Sequence, residues 1–232
     1  MPAILPAWTE PDPALHARLG EAIDPERKVV AALERIVSLS GKRIADVGTG
    51  LGHYPVLLAR RTGRIYGIES DPLLLAEARR RAARVHQPNI RIVAGDATHL
   101  PLRDGAVDIV LSGSITPDDG SLAAIAEAER VLRPGGVLVA IGYYGRDEVA
   151  GLVEPEILAK SIEATQRRSG WWLRHGFKIK VVHARVDLGD PDLAHDVLPR
   201  LFGDRGRAYL MGPHASSLSL NLGLYHRTTP TT

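Results

Sequence analysis

Apolar segments of strand length alternate with amphipathic helical segments along the middle of the chain. Between residues 42 and 142 this strand–helix alternation repeats several times. Such alternation predicts a parallel sheet with helices on both faces. Two later segments, Phe177–Val186 and Ser217–Leu224, alternate apolar and polar residues and predict two further strands. The expected fold class is therefore α/β, with a doubly wound, mainly parallel sheet of seven strands.

Capping residues and proline set the predicted helix boundaries. Asp24-Pro25 predicts a helix start, with aspartate as the N-cap and proline in the first helical position, and the helix continues to about Leu39. We therefore separate an N-terminal helical segment, residues 1–40, from a main domain, residues 41–232. The remaining helices are predicted after Gly52, after Asp71-Pro72, after Ser121, over residues 155–169, and as one or two short helices in 191–210.

A glycine-rich turn directly follows the first predicted strand, in the run Ile44–His53. Glycine allows close approach of a ligand to the backbone and takes positive φ without penalty. The Gly-x-Gly-x-Gly spacing differs from the dinucleotide pattern, because His53 stands where the third glycine would be. Asp46, inside the strand, would repel a pyrophosphate but suits an ammonium group. S-adenosylmethionine (SAM) carries an ammonium, a sulfonium and an adenosine, and it matches this turn.

Polar residues also follow the next three strands. Glu69 ends the second strand about 20 residues after the turn, where a carboxylate can accept hydrogen bonds from ribose hydroxyls. Asp96 follows the third strand and can accept from an adenine amino group, while the Ala97 amide can donate to a ring nitrogen. Ser112 ends the fourth strand. Because ligands bind outside the carboxyl ends of parallel strands, these residues are expected at one edge of the sheet.

In these segments the chain resembles the class I SAM-dependent methyltransferases, over roughly residues 40–145, and most of all the branch with ubiquinone- and menaquinone-type enzymes. The resemblance implies a sheet with an antiparallel last strand, SAM as the cofactor, and methyl transfer to O, N or C of a small molecule. The residues implied for the cofactor are Asp46, Gly48, Thr49, Gly50, Gly52, Glu69, Ser70, Asp96, Ala97 and Ser112.

The resemblance also implies roles for the segments outside the turn. Residues 1–40 are expected to cover the cofactor pocket, where Trp8 and His16 either touch the substrate or pack on the core. The segment 187–216 is long for a plain hairpin connection, and we expect a cap or an oligomer contact there. The sequence leaves open whether the chain forms a homodimer.

A general base is needed only if the acceptor arrives protonated. The candidates are His53 on the glycine turn, Asp118 after the fourth strand and Tyr143 at the end of the fifth. Each has a structural alternative: a helix-start histidine, a capping turn, and packing against the last helix. The histidines do not provide a metal-ligand set, so no metal is predicted.

Composition and charge bear on which classes of protein the chain can belong to. The chain of 232 residues has no cysteine, which excludes disulfides and a cysteine nucleophile, and its net charge is +2. The arginine-rich run Arg79–Arg84 lies on a predicted helix and favours a solvated face over a nucleic-acid surface.

The first residues resemble no signal peptide and no apolar stretch spans a membrane, so a cytoplasmic protein is expected. The alternatives are an rRNA or tRNA methyltransferase, or a SAM-binding protein of the same fold without methyl transfer.

Overall fold

A computed structural model describes residues 12–165, 169–212 and 216–231. Trp8 lies outside these residues. The described helices, which lie between and around the strands, are α1 (Pro13–Ala22), α2 (Lys28–Ile36), α3 (His53–Leu58), α4 (Pro72–Arg84), α5 (Leu122–Val131), α6 (Pro155–Ala164), α7 (Trp171–Arg174) and α8 (Pro191–Met211). Single turns of 3₁₀-helix occur at Ala59–Arg61, Asp119–Ser121 and Val149–Gly151.

The strands form one seven-stranded sheet in the order β3-β2-β1-β4-β5-β7-β6. The pairings among β1 to β5 are parallel, whereas β7 pairs antiparallel with both β5 and β6. This arrangement confirms the predicted fold class. The strand bounds are β1 (Arg43–Val47), β2 (Arg64–Glu69), β3 (Ile90–Ala94), β4 (Val107–Ser112), β5 (Leu132–Tyr143), β6 (Lys178–Asp187) and β7 (Ser217–Thr228).

The central strands β1 and β4 are covered on both faces, which explains their nearly continuous apolar sequences. Ile44 and Ile109 point into the core on the face that carries α2 and α8, and Ala45 and Val110 point into the core on the other face. All four side chains are fully buried. Both faces of the sheet therefore exclude water at these two strands.

An aromatic cluster closes one face of the sheet near β7. The rings of Trp172 and Tyr225 stack with centroids 4.1 Å apart and an interplanar angle of 7°, and Phe177 meets Trp172 edge-on at 5.1 Å. The Tyr225 hydroxyl donates to the Tyr143 carbonyl at 3.2 Å, so its polar end is satisfied. These aromatic side chains seal α7 against the sheet.

The predicted start of the second helix at Asp24-Pro25 was wrong by one helical turn. Asp24 has a φ of 53°, outside the range for a conventional N-cap, and the helix begins at Lys28. The Asp24 carboxylate nevertheless accepts hydrogen bonds from the amides of Lys28 at 2.9 Å and Val29 at 2.8 Å. Aspartate therefore caps this helix from four residues upstream. The preceding helix α1, capped by Asp12, was not predicted.

The segment between β6 and β7 contains α8, which is broken at Gly203 (φ 54°, ψ −128°). Its apolar side chains, including Val197 and Leu198, are buried in the same core as β1. Arg18 of α1 makes ion pairs with Asp190 at 3.0 Å and Asp196 at 3.1 Å. This segment therefore packs on the domain and on α1. Its role as a cap or an oligomer contact stays a prediction.

Candidate functional site

The glycine turn connects β1 to α3 and is held against the end of β2. Gly48, Gly50 and Gly52 all have positive φ, at 70°, 58° and 73°. The amides of Gly48 and Thr49 both donate to the Ile68 carbonyl, at 2.9 and 3.0 Å. The turn is thus bent back over the neighbouring strand, in a conformation that favours glycine at three positions.

Space around the turn differs from one glycine to the next. A Cβ on Gly48 would lie 2.8 Å from the Ser114 Oγ, and one on Gly52 would lie 3.3 Å from the Ala78 Cβ. At Gly50 nothing comes closer than the His16 Cε1, 4.0 Å away on α1. The turn is therefore packed at its two ends and open at its centre, where a ligand could approach the backbone beneath α1.

The Glu69 carboxylate joins the end of β2 to the centre of the turn. Its Oε2 accepts from the Gly50 amide at 2.7 Å, and its Oε1 accepts from the amides of Ser70 and Asp71 at 2.9 and 3.0 Å. The side chain is 6% exposed. Because each carboxylate oxygen can accept two hydrogen bonds, Oε2 keeps capacity for a ligand hydroxyl.

Asp46 provides a second buried carboxyl group close to the turn. Its Oδ2 accepts from the Thr49 hydroxyl at 2.5 Å. Burial raises the pKa of Asp46 to about 6, because the charged form loses its hydration. A nearby cation would favour the charged form, so this position suits an ammonium group.

The ends of β3 and β4 complete this edge. Gly95 donates its amide to the Glu69 carbonyl at 3.1 Å, which places Asp96 and the half-buried Ala97 beside the end of β2. Asp96 is exposed, and its Oδ1 accepts from the Thr98 amide at 2.8 Å. The buried Ser112 hydroxyl donates to the Val47 carbonyl at 3.1 Å. The predicted cofactor residues therefore come from the ends of four adjacent strands.

His53 faces a different environment. It lines a cavity formed with the α1–α2 connection and α4, and none of the predicted cofactor residues lines that cavity. Burial, with Arg81 and Arg27 nearby, lowers the pKa of His53 to about 4. Its imidazole is therefore neutral at physiological pH.

Asp118 lies in the loop after β4, beside a cavity of about 480 Å³ between this loop, α6 and α7. Its carboxylate accepts from the Thr116 hydroxyl at 2.5 Å and makes no capping bond to the following helix. The adjacent Asp119 accepts from the Trp171 indole at 3.1 Å. Asp118 is exposed and available to a molecule bound there.

Tyr143 is packed inside the core at the end of β5. Its hydroxyl donates to Asp147 Oδ1 at 2.8 Å, and the other oxygen of Asp147 accepts from the Asn221 amide at 2.6 Å. Burial and the Asp147 carboxylate raise the pKa of the Tyr143 hydroxyl. The hydroxyl therefore links β5 to β7 through the Asp147 carboxylate.

Three side chains near the predicted site residues were not predicted. Ser114, whose Oγ lies 3.0 Å from the Ser112 Oγ, packs against Gly48. The spacing Ser112-Gly-Ser114 in the loop after β4 was the available signal. The guanidinium groups of Arg27 and Arg81 near His53 were also missed, because they come from segments remote from it in sequence.

Comparison with known proteins shows which proteins this chain is similar to. Residues 44–136 match the family described as "Methyltransferase domain". The demethylmenaquinone methyltransferase of Beutenbergia cavernae is 34% identical over 110 residues, which are 47% of this chain and 44% of that enzyme. The malonyl-[acyl-carrier protein] O-methyltransferase of Serratia marcescens is 35% identical over 100 residues, 43% of this chain and 37% of that enzyme.

The crystal structure of a SAM-dependent methyltransferase from Aquifex aeolicus has the same fold. Its TM-score is 0.56 at 17% identity, with 94% of this chain and 98% of that chain covered. Across eight curated relatives the match covers between 32% and 58% of the relative's length. These comparisons confirm the resemblance inferred from the glycine turn and the strand ends.

Proposed function

Because residues 44–136 form a methyltransferase domain on the fold of SAM-dependent methyltransferases, we propose that this protein transfers a methyl group from SAM to O, N or C of a small molecule. The observation that carries the proposal is the buried Glu69 carboxylate, which is bonded to the Gly50 amide at the open centre of the turn. The ribose of a ligand would find the Glu69 carboxylate there, and its cationic group would find the Asp46 carboxyl close to the turn.

The cofactor residues take the following proposed roles. Gly48, Thr49, Gly50 and Gly52 form a backbone surface for the methionine half, and Asp46 balances its ammonium group. Glu69 and Ser70 serve the ribose, Asp96 and Ala97 the adenine, and Ser112 supports the turn from β4. When bound, SAM supplies an already activated methyl group, so the chain's main task is to position the acceptor.

Among the three candidates we assign the acceptor proton to Asp118, because its carboxylate is exposed whereas His53 is half-buried and Tyr143 is buried. It lies in the loop after β4 and lines a cavity whose other walls include Trp171 and Ile157. The lining also includes Glu163, Lys160 and Arg174, and a wall that combines apolar side chains with a few charged groups suits a small organic acceptor. The roles of His53 and Tyr143 as proton acceptors stay predictions.

The test combines binding and turnover. Calorimetric titration with SAM and with S-adenosylhomocysteine should show saturable binding, and radiolabelled SAM with a panel of phenols, quinols, amines and carboxylic acids should yield a methylated product. Failure to bind SAM would refute the proposal. Binding without any product would instead support a SAM-binding protein of this fold, and salt-sensitive methylation of RNA would support the nucleic-acid alternative.

Location and assembly are further proposals. None of the helices in the described ranges has the length and apolar character needed to cross a bilayer. We place the protein in the cytoplasm and keep a homodimer as a proposal, which cell fractionation and light scattering would test.

A further inference from the structure

A second cavity lies on the outer side of α3, away from the predicted cofactor residues. It has a volume of about 500 Å³, and its walls come from the α1–α2 connection, from α3 and the turn after it, and from α4. Val56, Leu57 and Val85 form an apolar part of the wall. The proposed function assigns no role to this space.

Three guanidinium groups line this cavity, from Arg27, Arg60 and Arg81. The two carboxylates in its wall already have partners. Asp24 accepts from the two helix amides described above, and Glu21 makes an ion pair with Arg81 at 3.3 Å. Within the described ranges neither Arg27 nor Arg60 makes an ion pair. Three guanidinium groups and two carboxylates line the cavity, so its wall carries a net charge of +1.

His53 adds a buried polar atom to the same wall. Its Nδ1 is inaccessible to solvent and has no hydrogen-bond partner among the described residues. Because this nitrogen is closed off from solvent, it is also closed off from a ligand in the cavity, and the positive charge of the wall comes from the arginines. Nearby Arg81 and Arg27 contribute to the lowered pKa of His53, which places their charges close to the ring.

We propose that this cavity is a second binding site, for a small organic molecule that bears a phosphate or carboxylate group. Arginine suits such anions because its planar donors match two oxygens at once. Arg27, Arg60 and Arg81 hold the anionic group. The cavity is larger than an inorganic anion needs, and its apolar wall accommodates an organic substituent.

The experiment compares three probes on the full chain by calorimetry: phenyl phosphate, inorganic phosphate and the uncharged benzyl alcohol. We expect phenyl phosphate to bind at least about fivefold more tightly than inorganic phosphate, because its ring covers apolar surface. Benzyl alcohol should not bind measurably. Equal affinity for the two phosphates would contradict the organic ligand, and absence of saturable binding by both would overturn the site.

Arg60→Gln and Arg84→Gln form the matched pair of variants. Both remove one exposed guanidinium, but Arg84 lies on α4 outside the cavity wall. Arg60→Gln should weaken phenyl phosphate binding about tenfold or more, because a charge-assisted contact is lost, whereas Arg84→Gln should leave it within about twofold. Equal effects of the two variants would mean only a general attraction of anions.

A competition experiment distinguishes this cavity from the predicted cofactor site. Saturating S-adenosylhomocysteine should leave the affinity for phenyl phosphate within about twofold, since no predicted cofactor residue lines the cavity. Mutual exclusion of the two ligands would overturn the second site. If phenyl phosphate binds as expected and S-adenosylhomocysteine does not bind at all, this proposal stands while the proposed function fails.

Discussion

Glu69 at the end of β2 accepts a hydrogen bond of 2.7 Å from the amide of Gly50, the central glycine of the turn after β1. The bond crosses between two adjacent parallel strands at their carboxyl ends. It fixes the orientation of the one glycine in the turn that has open space beside it. A single buried carboxylate therefore both shapes the turn and borders the proposed ribose position.

Replacing Glu69 tests both roles of this carboxylate. Glu69→Ala should weaken SAM binding about 10- to 100-fold, because the Gly50 amide and the ribose hydroxyls both lose a charged acceptor. Calorimetric titration measures the change. Glu77→Ala, which removes a half-buried glutamate paired with Arg80 on α4, is the control and should leave SAM affinity unchanged. Equal affinities of the two variants would remove Glu69 from the site.

Gly50→Ala and Gly41→Ala separate backbone strain from loss of ligand space. Both glycines have positive φ, and a Cβ on either would meet no atom closer than 4.0 Å. Each alanine should therefore cost about 1–2 kcal/mol of folding stability, measured by urea unfolding. Only Gly50→Ala should also weaken SAM binding, because its Cβ enters the space beside the turn. If both variants bound SAM like the wild type, the turn would not hold the cofactor.

The strands and the turn could be predicted because their signals are local. Apolar runs identify β1 and β4 as buried strands, and glycine spacing identifies the bend between β1 and α3. The start of α2 could not be predicted in this way, since Asp24 caps it from a left-handed conformation instead of from the adjacent position. The surroundings of His53 depend on α1, α2 and α4 packing around α3, and spacing near the turn does not contain this information.

The buried Asp46 should reduce stability in the absence of ligand. Its pKa in the folded state, about 6, lies above the ordinary value of 3.8, so stability is lost as the pH rises from about 4 to 6 and the buried group ionises. Asp46→Asn should therefore raise the free energy of unfolding at pH 7.5 by about 1–2 kcal/mol. The same variant should weaken SAM binding, because the ammonium group loses its counter-charge. An unchanged unfolding midpoint together with unchanged SAM affinity would contradict this role.

His53 gives the opposite dependence on pH. Its pKa of about 4 lies below the ordinary 6.5, so the unfolded chain binds the proton more readily and stability falls as the pH drops from 6.5 to 4. His53→Gln should lessen that acid-induced loss by about 1–3 kcal/mol, measured as the difference in unfolding free energy between pH 7 and pH 4.5. Wild-type pH dependence in the variant would show that folding does not lower the pKa of His53. His16, whose pKa is also lowered to about 4, accounts for a part of the loss that remains in the variant.

Once an acceptor is known, substitution of Asp118 should affect turnover, whereas substitution of Tyr143 should affect folding stability. Asp118→Asn should lower kcat about 100-fold for an acceptor that must lose a proton, with SAM affinity unchanged, because an amide cannot take up that proton. Tyr143→Phe should instead cost about 1–2 kcal/mol of stability, because the hydrogen bond to Asp147 is lost, and should leave kcat nearly intact.

The control for removing a charge is Asp192→Asn, which replaces an exposed aspartate on α8. A pH–rate profile completes the test, since the acidic limb should disappear in Asp118→Asn. If the limb persisted there and vanished in Tyr143→Phe, the tyrosine rather than the aspartate would handle the proton.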